Sequence, residues 1–153
     1  MIRVQQEDFD IGAEIAGMTA GRTDIGAIVT FTGTVRDQAG AVEEMTLEHY
    51  PGMTERELAR IEAEACARWS LQASLIVHRH GTLRPGDNIV LVVTASEHRD
   101  AAFDAAKFLM DYLKTRAPFW KRETGPGGDR WVEAATGDDD ATVRWKKTKS
   151  AAE

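Results

Sequence analysis

Apolar residues along this chain recur with two periods, and the places where one gives way to the other mark out strands and helices. Residues 1–6 predict a short strand. Phe9, Ile11, Ile15 and Met18 predict a short helix that ends near the Gly21 turn. Residues 25–32 (IGAIVTFT) are β-branched and apolar, predicting a buried strand that runs into Gly33-Thr34-Val35-Arg36. A glycine-containing loop over 37–40 leads to residues 42–50. There Met45, Leu47 and His49 alternate with polar neighbours, the period of a half-exposed strand. Pro51-Gly52 breaks the chain, and Thr54 followed by Glu57 has the spacing of a capping box. In the helix it opens, Leu58, Ile61, Ala65 and Trp69 form one narrow stripe, so a single face is buried.

Residues 75–80 predict another strand. Arg84-Pro85-Gly86-Asp87 is a tight turn, with proline and glycine where a type II turn wants them. The run Ile89-Val90-Leu91-Val92-Val93 has no alternation and predicts a central strand covered on both faces. A second long helix runs from near Arg99 to before Pro118, which disfavours helix at Ala117. Its apolar residues, from Ala102 and Phe103 to Tyr112 and Leu113, span over half the circumference. Such a helix needs cover on more than one side, from the sheet and, in one arrangement, a second subunit. Residues 124–128 read as a turn and 130–134 as a further strand. From Gly137 to Glu153 the chain is charged and poor in apolar residues apart from Val143 and Trp145. The expected organisation is one domain over 1–136 and a charged, mobile tail over 137–153. Hairpin-like strand pairs mixed with a few helices predict an α+β fold with a mixed or antiparallel sheet.

Length and charge narrow the function. A chain of 153 residues suffices for one domain with a sizeable core. No apolar run is long enough to span a bilayer, and the N-terminus lacks the basic start and apolar stretch of a signal peptide. The one cysteine, Cys66, cannot form an internal disulfide, so a cytoplasmic protein is expected. A net charge of -6 disfavours general nucleic-acid affinity, so any anion site must be a local concentration of cations.

Such concentrations bracket the second long helix. His98 and Arg99 stand at its start, Lys114 and Arg116 at its end, Lys121 and Arg122 just beyond. Two readings of the helix-end cations stay open. In one they complement the macrodipole, with Asp111 pairing to Lys114. In the other, Lys114 lies at the edge of the apolar arc beside Phe103 and Met110, with a partly buried stem and cations nearby. Those conditions favour a neutral amine and suit a general base or a phosphate clamp. Arg36, at a strand end, is either a solvated loop arginine or a ligand-binding group. His98 is either a capping histidine or a site residue, at a helix N-terminus able to hold phosphate. His78 and His80 share a strand face, but two histidines without a third ligand read as structural rather than as a zinc site. Cys66 reads as a small core hydrophobe.

Several segments resemble blocks of the molybdopterin synthase large-subunit family. They are Phe31-x-Gly33-x-Val35-Arg36, residues 47–53 (LEHYPGM), His80-Gly81 leading to Pro85-Gly86-Asp87, and Ser96-x-His98-Arg99. Most specific is the stretch 110–123 (MDYLKTRAPFWKRE), with Gly128-Asp129-Arg130-Trp131-Val132 after it. The blocks stand in family order. The resemblance implies an α/β-hammerhead fold and a homodimer that becomes a heterotetramer with two small ubiquitin-like sulfur carriers. Each carrier presents a C-terminal Gly-Gly thiocarboxylate. The implied reaction is sulfur transfer to cyclic pyranopterin monophosphate, making the dithiolene of molybdopterin with no metal or organic cofactor. Lys114 and Lys121 match the family's catalytic lysines. Both lysines, with Thr34, Val35, Arg36, His98, Arg99, Arg122 and Glu123, are expected around the pterin and its phosphate. Thr34 departs from the pattern, since at least some relatives carry a lysine there.

Two other readings compete. One is a non-catalytic module whose cationic groove receives a partner's acidic C-terminus. The other is a single-stranded nucleic-acid binder with Phe119, Trp120, Lys121 and Arg122 as its platform. The acidic total charge weighs against the latter, and turnover with a thiocarboxylated carrier separates the former.

Overall fold

The alternation and the helical stripe resolve into two four-stranded sheets, three longer helices and a short helical segment at residues 141–146, seen in a computed structural model that describes residues 1–132 and 141–146. The first sheet has the order β1 (Ile2–Gln5), β4 (Ala73–Arg79), β6 (Asn88–Ser96), β2 (Ala27–Thr34). Only the β1–β4 pair is parallel. β6 lies inside, and Leu91, Val92 and Val93 are fully buried, as their unbroken apolar run requires. One face of this sheet, through Ile76, Val90 and Val92, packs on α2 (Met53–Trp69) and α3 (Arg99–Arg116). The other, through Leu75, Val77, Leu91 and Val93, packs on Phe9 and on α1 (Ile11–Thr19). The fold is α+β, of the hammerhead type. No helix among the described residues is long and apolar enough to cross a membrane.

β2 departs from expectation. It is an edge strand rather than a buried one, with Ile28 and Phe31 about 40% exposed. A β-branched run looks the same in sequence whether its outer side is paired or open.

The second sheet, β5 (Gly81–Leu83), β3 (Glu44–His49), β7 (Phe119–Gly125), β8 (Gly128–Val132), is antiparallel throughout. Met45 and Leu47 of β3 bury against Val35, Val42 and Leu83. Ile89 packs against this cluster and against the first sheet's, joining the two. The sequence pattern predicted no strand between Pro118 and the turn at 124–128, where β7 forms. Gly125-Pro126-Gly127-Gly128 is the tight turn between β7 and β8. A Cβ on Gly125 would stand 2.0 Å from the Ala41 carbonyl, so the loop before β3 can close on this hairpin only at a glycine.

The α2 cap also lies one pair earlier than predicted. Gly52, at φ 83°, is the N-cap, and its N–H donates to the Glu55 carboxylate at 2.6 Å. Thr54 is already inside the helix, where its buried hydroxyl donates to the Tyr50 carbonyl.

Of the expected mobile tail, residues 141–146 are helical and docked. Trp145 is buried edge-on against Trp69 and Phe108, and its Nε1 donates to Asp111 of α3 at 2.8 Å. Residues 133–140 and 147–153 lie outside the described residues. The wide apolar arc of α3 is thus covered by the first sheet, by α2 and by Trp145, leaving Phe103 60% exposed. Replacing Trp145 by alanine is therefore expected to destabilise the protein by about 3–5 kcal/mol. Urea unfolding of the full chain measures it, and a loss below about 1 kcal/mol would show that the aromatic cluster holds without it.

Candidate functional site

Where the two sheets meet, an open cavity of about 450 Å³ has an apolar floor that includes Met45, Leu47, Val90 and Leu113. Three elements bring cations to its walls. The first is the end of β2, where the pairing with β6 passes from Gly33–Val90 to Thr34–Asn88 and skips one residue of β6. This bulge turns the chain at the strand's end. Val35, buried, donates its N–H to the Asp87 carbonyl at 2.9 Å and accepts from Gly86 N–H at 2.8 Å. That exchange fixes the chain where Thr34, Val35 and the exposed Arg36 line the cavity.

The second wall is the C-terminal end of α3, with Met110, Leu113 and Lys114. The Asp111–Lys114 pair that dipole complementation would add is not formed. The Asp111 carboxylate instead accepts the Trp145 indole and lies 4.0 Å from Arg144. Among the described residues Lys114 has no ion-pair partner, and its side chain is exposed to the cavity's solvent.

The third wall is β7. Alternation points Phe119, Lys121 and Glu123 into the cavity and Trp120 and Arg122 out of it. Glu123 is a buried carboxylate, but it is occupied, accepting from Arg130 at 2.7 and 3.2 Å and from Gln38 at 3.1 Å. Arg122 lies 5.9 Å from the centroid of Trp131 on the outer face. Arg36, Lys114 and Lys121 therefore share the cavity, and the one carboxylate among its described lining residues, Glu123, is already neutralised.

His78 completes the wall beside Lys121. Its ring lies flat on Phe119, with centroids 3.7 Å apart and planes 17° apart, and its Nδ1 is 2.8 Å from the Arg79 carbonyl. Only a protonated Nδ1 can bond there, so this nitrogen carries the hydrogen. Burial, then the Lys121 charge and the neighbouring His49 and His80, push the ring's pKa down from 6.5 to about 4, against the backbone hydrogen bond. His80 rests on His49 instead, with centroids 4.5 Å apart. Among the described residues no three His, Cys, Asp or Glu side chains are placed to hold a metal ion.

Residues 4–116 match the sequence profile described as the MoaE protein family. The chain belongs to the MoaE family. It is 58% identical over 149 residues to the molybdopterin synthase catalytic subunit of Mesorhizobium japonicum, covering 96% of this chain and 94% of that one. With the same-named subunit of Salmonella typhimurium it shares 55% over 139 residues, covering 90% and 92%. Among solved structures, the MoaE protein of Burkholderia ambifaria superposes with a TM-score of 0.83 at 53% identity, covering 95% and 97%. The molybdopterin synthase of Staphylococcus aureus gives 0.79 at 31% identity, covering 86% and 96%.

Seen as a MoaE chain, the structure gathers Thr34, Val35, Arg36, Lys114, Lys121 and Glu123 around one cavity and leaves out three expected residues. Arg122 is turned outward by strand alternation. His98 and Arg99 are exposed at the start of α3, and at 1.5 Å per residue Arg99 lies about 22 Å along the helix from Lys114. Arg99 stands 4.0 Å from Asp100. Sequence reasoning also missed Gln38, Phe119 and His78 as cavity residues. His78 gave no signal, because nothing in the order of residues says that β4 ends beside β7.

A ring held neutral by the fold takes up its proton only in the unfolded chain as pH falls from 6.5 towards 4. Stability should therefore be flat above that window and fall within it, by up to about 3 kcal/mol from His78. Urea midpoints from pH 4 to 8, compared with those of His78→Phe, check this. An unchanged slope in the variant would show that another group sets it.

Proposed function

We propose that this chain is the catalytic subunit of a molybdopterin synthase, moving sulfur from the thiocarboxylated C-terminus of a small carrier to cyclic pyranopterin monophosphate. One observation carries the reading: a lysine from α3, which packs on the first sheet, and a lysine from β7 of the second sheet line one cavity with Arg36, in a protein whose net charge is -6. Both reactants are anions. Fixed cations lower the cost of bringing them together, and a charge pair about 4 Å apart gains from roughly 1 kcal/mol in water to about 4 at an effective dielectric of 20. The names of the relatives support the same reading.

In this scheme Arg36 holds the phosphate beside the Val35 anchor. Lys114, on a helix, donates and recovers a proton as sulfur attacks and oxygen leaves. Lys121, on a strand that a neighbouring sheet can adjust, orients the thiocarboxylate. Two sulfur atoms are needed, so two carriers visit each site in turn. The carrier's Gly-Gly tail has no side chains to clear and fits the cavity mouth. Glu123 holds Gln38 and Arg130 in place and does not bind substrate directly. A cytoplasmic setting belongs to this reading, supported by the lone unpaired Cys66.

A homodimer is part of the same proposal. β2 is an edge strand, and Phe31 on it and Phe103 on the helix packed over it are exposed. His98 and Arg99 cannot reach the cavity of their own chain. Their expected role in substrate binding therefore requires that a second copy receives them.

Lys114→Ala is expected to lower single-turnover product formation by about 10²–10⁴-fold with carrier and pterin still bound. Lys121→Ala should be less severe. Lys121→Arg should recover activity where Lys114→Arg does not, because a guanidinium keeps its proton. Near-normal turnover by Lys114→Arg would remove the proton-transfer role. Arg36→Ala should weaken substrate binding by about 2–5 kcal/mol and leave carrier affinity intact. Mixing Arg99→Ala with Lys114→Ala protein should restore activity that neither has alone. No recovery on mixing, or a monomer by sedimentation, would exclude the shared site.

A further inference from the structure

The scheme above leaves one cavity ring without a task. His78 belongs to the first sheet, at the end of β4, yet its imidazole lies against Phe119, the first residue of β7 in the second. A stack at 3.7 Å and 17° is close and nearly parallel, so neither ring can tilt without losing contact. The imidazole is also held at its other side, by the Nδ1–H bond to the Arg79 carbonyl. A phenyl ring could stack there, but it would have no such tether. The cross-strand neighbour of Phe119, His49, has its ring centroid 6.0 Å from that of Phe119.

Phe119 and Lys121 stand two residues apart on one face of one strand, so a movement of the first carries the second. Lys114 is borne by α3 on the first sheet, and Lys121 by the second sheet. The spacing between the two lysines is therefore the spacing between the sheets at the cavity. Ile89 joins the sheets through the apolar clusters, and the His78–Phe119 stack joins them at the cavity wall itself.

We propose that His78 is a positioning residue for Lys121: stacked on Phe119 and tethered to its own strand, it sets where the Lys121 ammonium stands relative to Lys114. The ring does this work uncharged. Its burial and the adjacent Lys121 cation keep it neutral at ordinary pH, so it does not repel the group it places. The inference rests on the sulfur-transfer reading only in giving Lys121 a task.

Two measurements test it. In single-turnover sulfur transfer, His78→Ala should slow the chemical step by about 10–100-fold, the scale of a misplaced catalytic group, with carrier affinity unchanged. His78→Phe, which keeps a flat ring on Phe119, should recover most of that loss. In a Lys121→Ala background, His78→Ala should cost no more than about twofold, because a residue acting through Lys121 has nothing left to place. A full loss in that background, or a His78→Ala rate within about twofold of the unaltered protein, overturns the proposal. The second measurement needs no turnover. In lysine-labelled protein the ¹³Cε signal of Lys121 should shift in His78→Ala and return in His78→Phe, while that of Lys114 stays put. An unmoved Lys121 signal overturns the positioning role. An unaltered protein that transfers no sulfur would instead overturn the function and leave the Lys121 signal to decide this inference.

Discussion

Leu47 of β3 stands opposite Lys121 of β7, and Met45 opposite Glu123. Because strand side chains alternate, this register decides which of two adjacent cations enters the cavity. A slip of one residue would exchange Lys121 for Arg122 and turn the whole face over. The register is held from both sides. Met45 and Leu47 are almost wholly buried on the cavity side of β3, and exposing either would cost about 1.5–3 kcal/mol. On the far side β8 pairs Lys121 with Val132 and Glu123 with Arg130, whose ion pair forms only in this alignment. The chemistry of the site thus depends on apolar burial on the strand next to the one that carries Lys121.

The same construction explains how an acidic protein keeps a cationic cavity. Arg36, Lys114 and Lys121 come from a strand end, a helix end and a mid-strand position, brought to one cavity by the packing of the elements that carry them. Glu123, the carboxylate that could cancel them, is committed to Arg130 and Gln38. In the single chain both lysines meet solvent, where screening within about 8 Å at physiological salt weakens their pull. Filling the cavity with an extended peptide tail and a pterin would displace that water and strengthen every charge contact inside. The open form favours entry, and occupancy itself makes the field effective.

Much of the fold was legible because local pattern and global burial agree. The β6 run, the α2 stripe, the Arg84–Asp87 turn and both ends of α3 all stand where period and turn chemistry place them. The failures have physical causes. Edge position is a matter of pairing, so β2 could not be told from a central strand. Alternation in β7 was hidden, since Phe119, Trp120, Lys121 and Arg122 show apolar and charged pairs rather than a period of two. For the site, Lys114, Lys121 and Arg36 were readable as candidates, but their meeting was not, because it depends on two sheets whose contact leaves no local trace. Arg122, His98 and Arg99 were grouped with them because they flank the same helix and match the family pattern. Strand alternation and helix length separate them in space.

One described part of the expected tail, residues 141–146, is docked in a way that bears on the site. Composition marks residues 137–153 as solvated, yet a single tryptophan in a charged segment suffices to dock six residues against α3. Competition for Asp111 follows from the magnitudes. A surface Asp–Lys pair along a helix is worth about 0.2–0.5 kcal/mol. A hydrogen bond from a buried indole to a charged carboxylate is worth about 1.5–3. The carboxylate therefore goes to Trp145, and the lysine one turn further along α3 is left without a partner among the described residues. Docking of the segment after β8 is in this sense part of the site. It stabilises the back of α3, and it also removes the anion that would otherwise hold Lys114 away from the cavity.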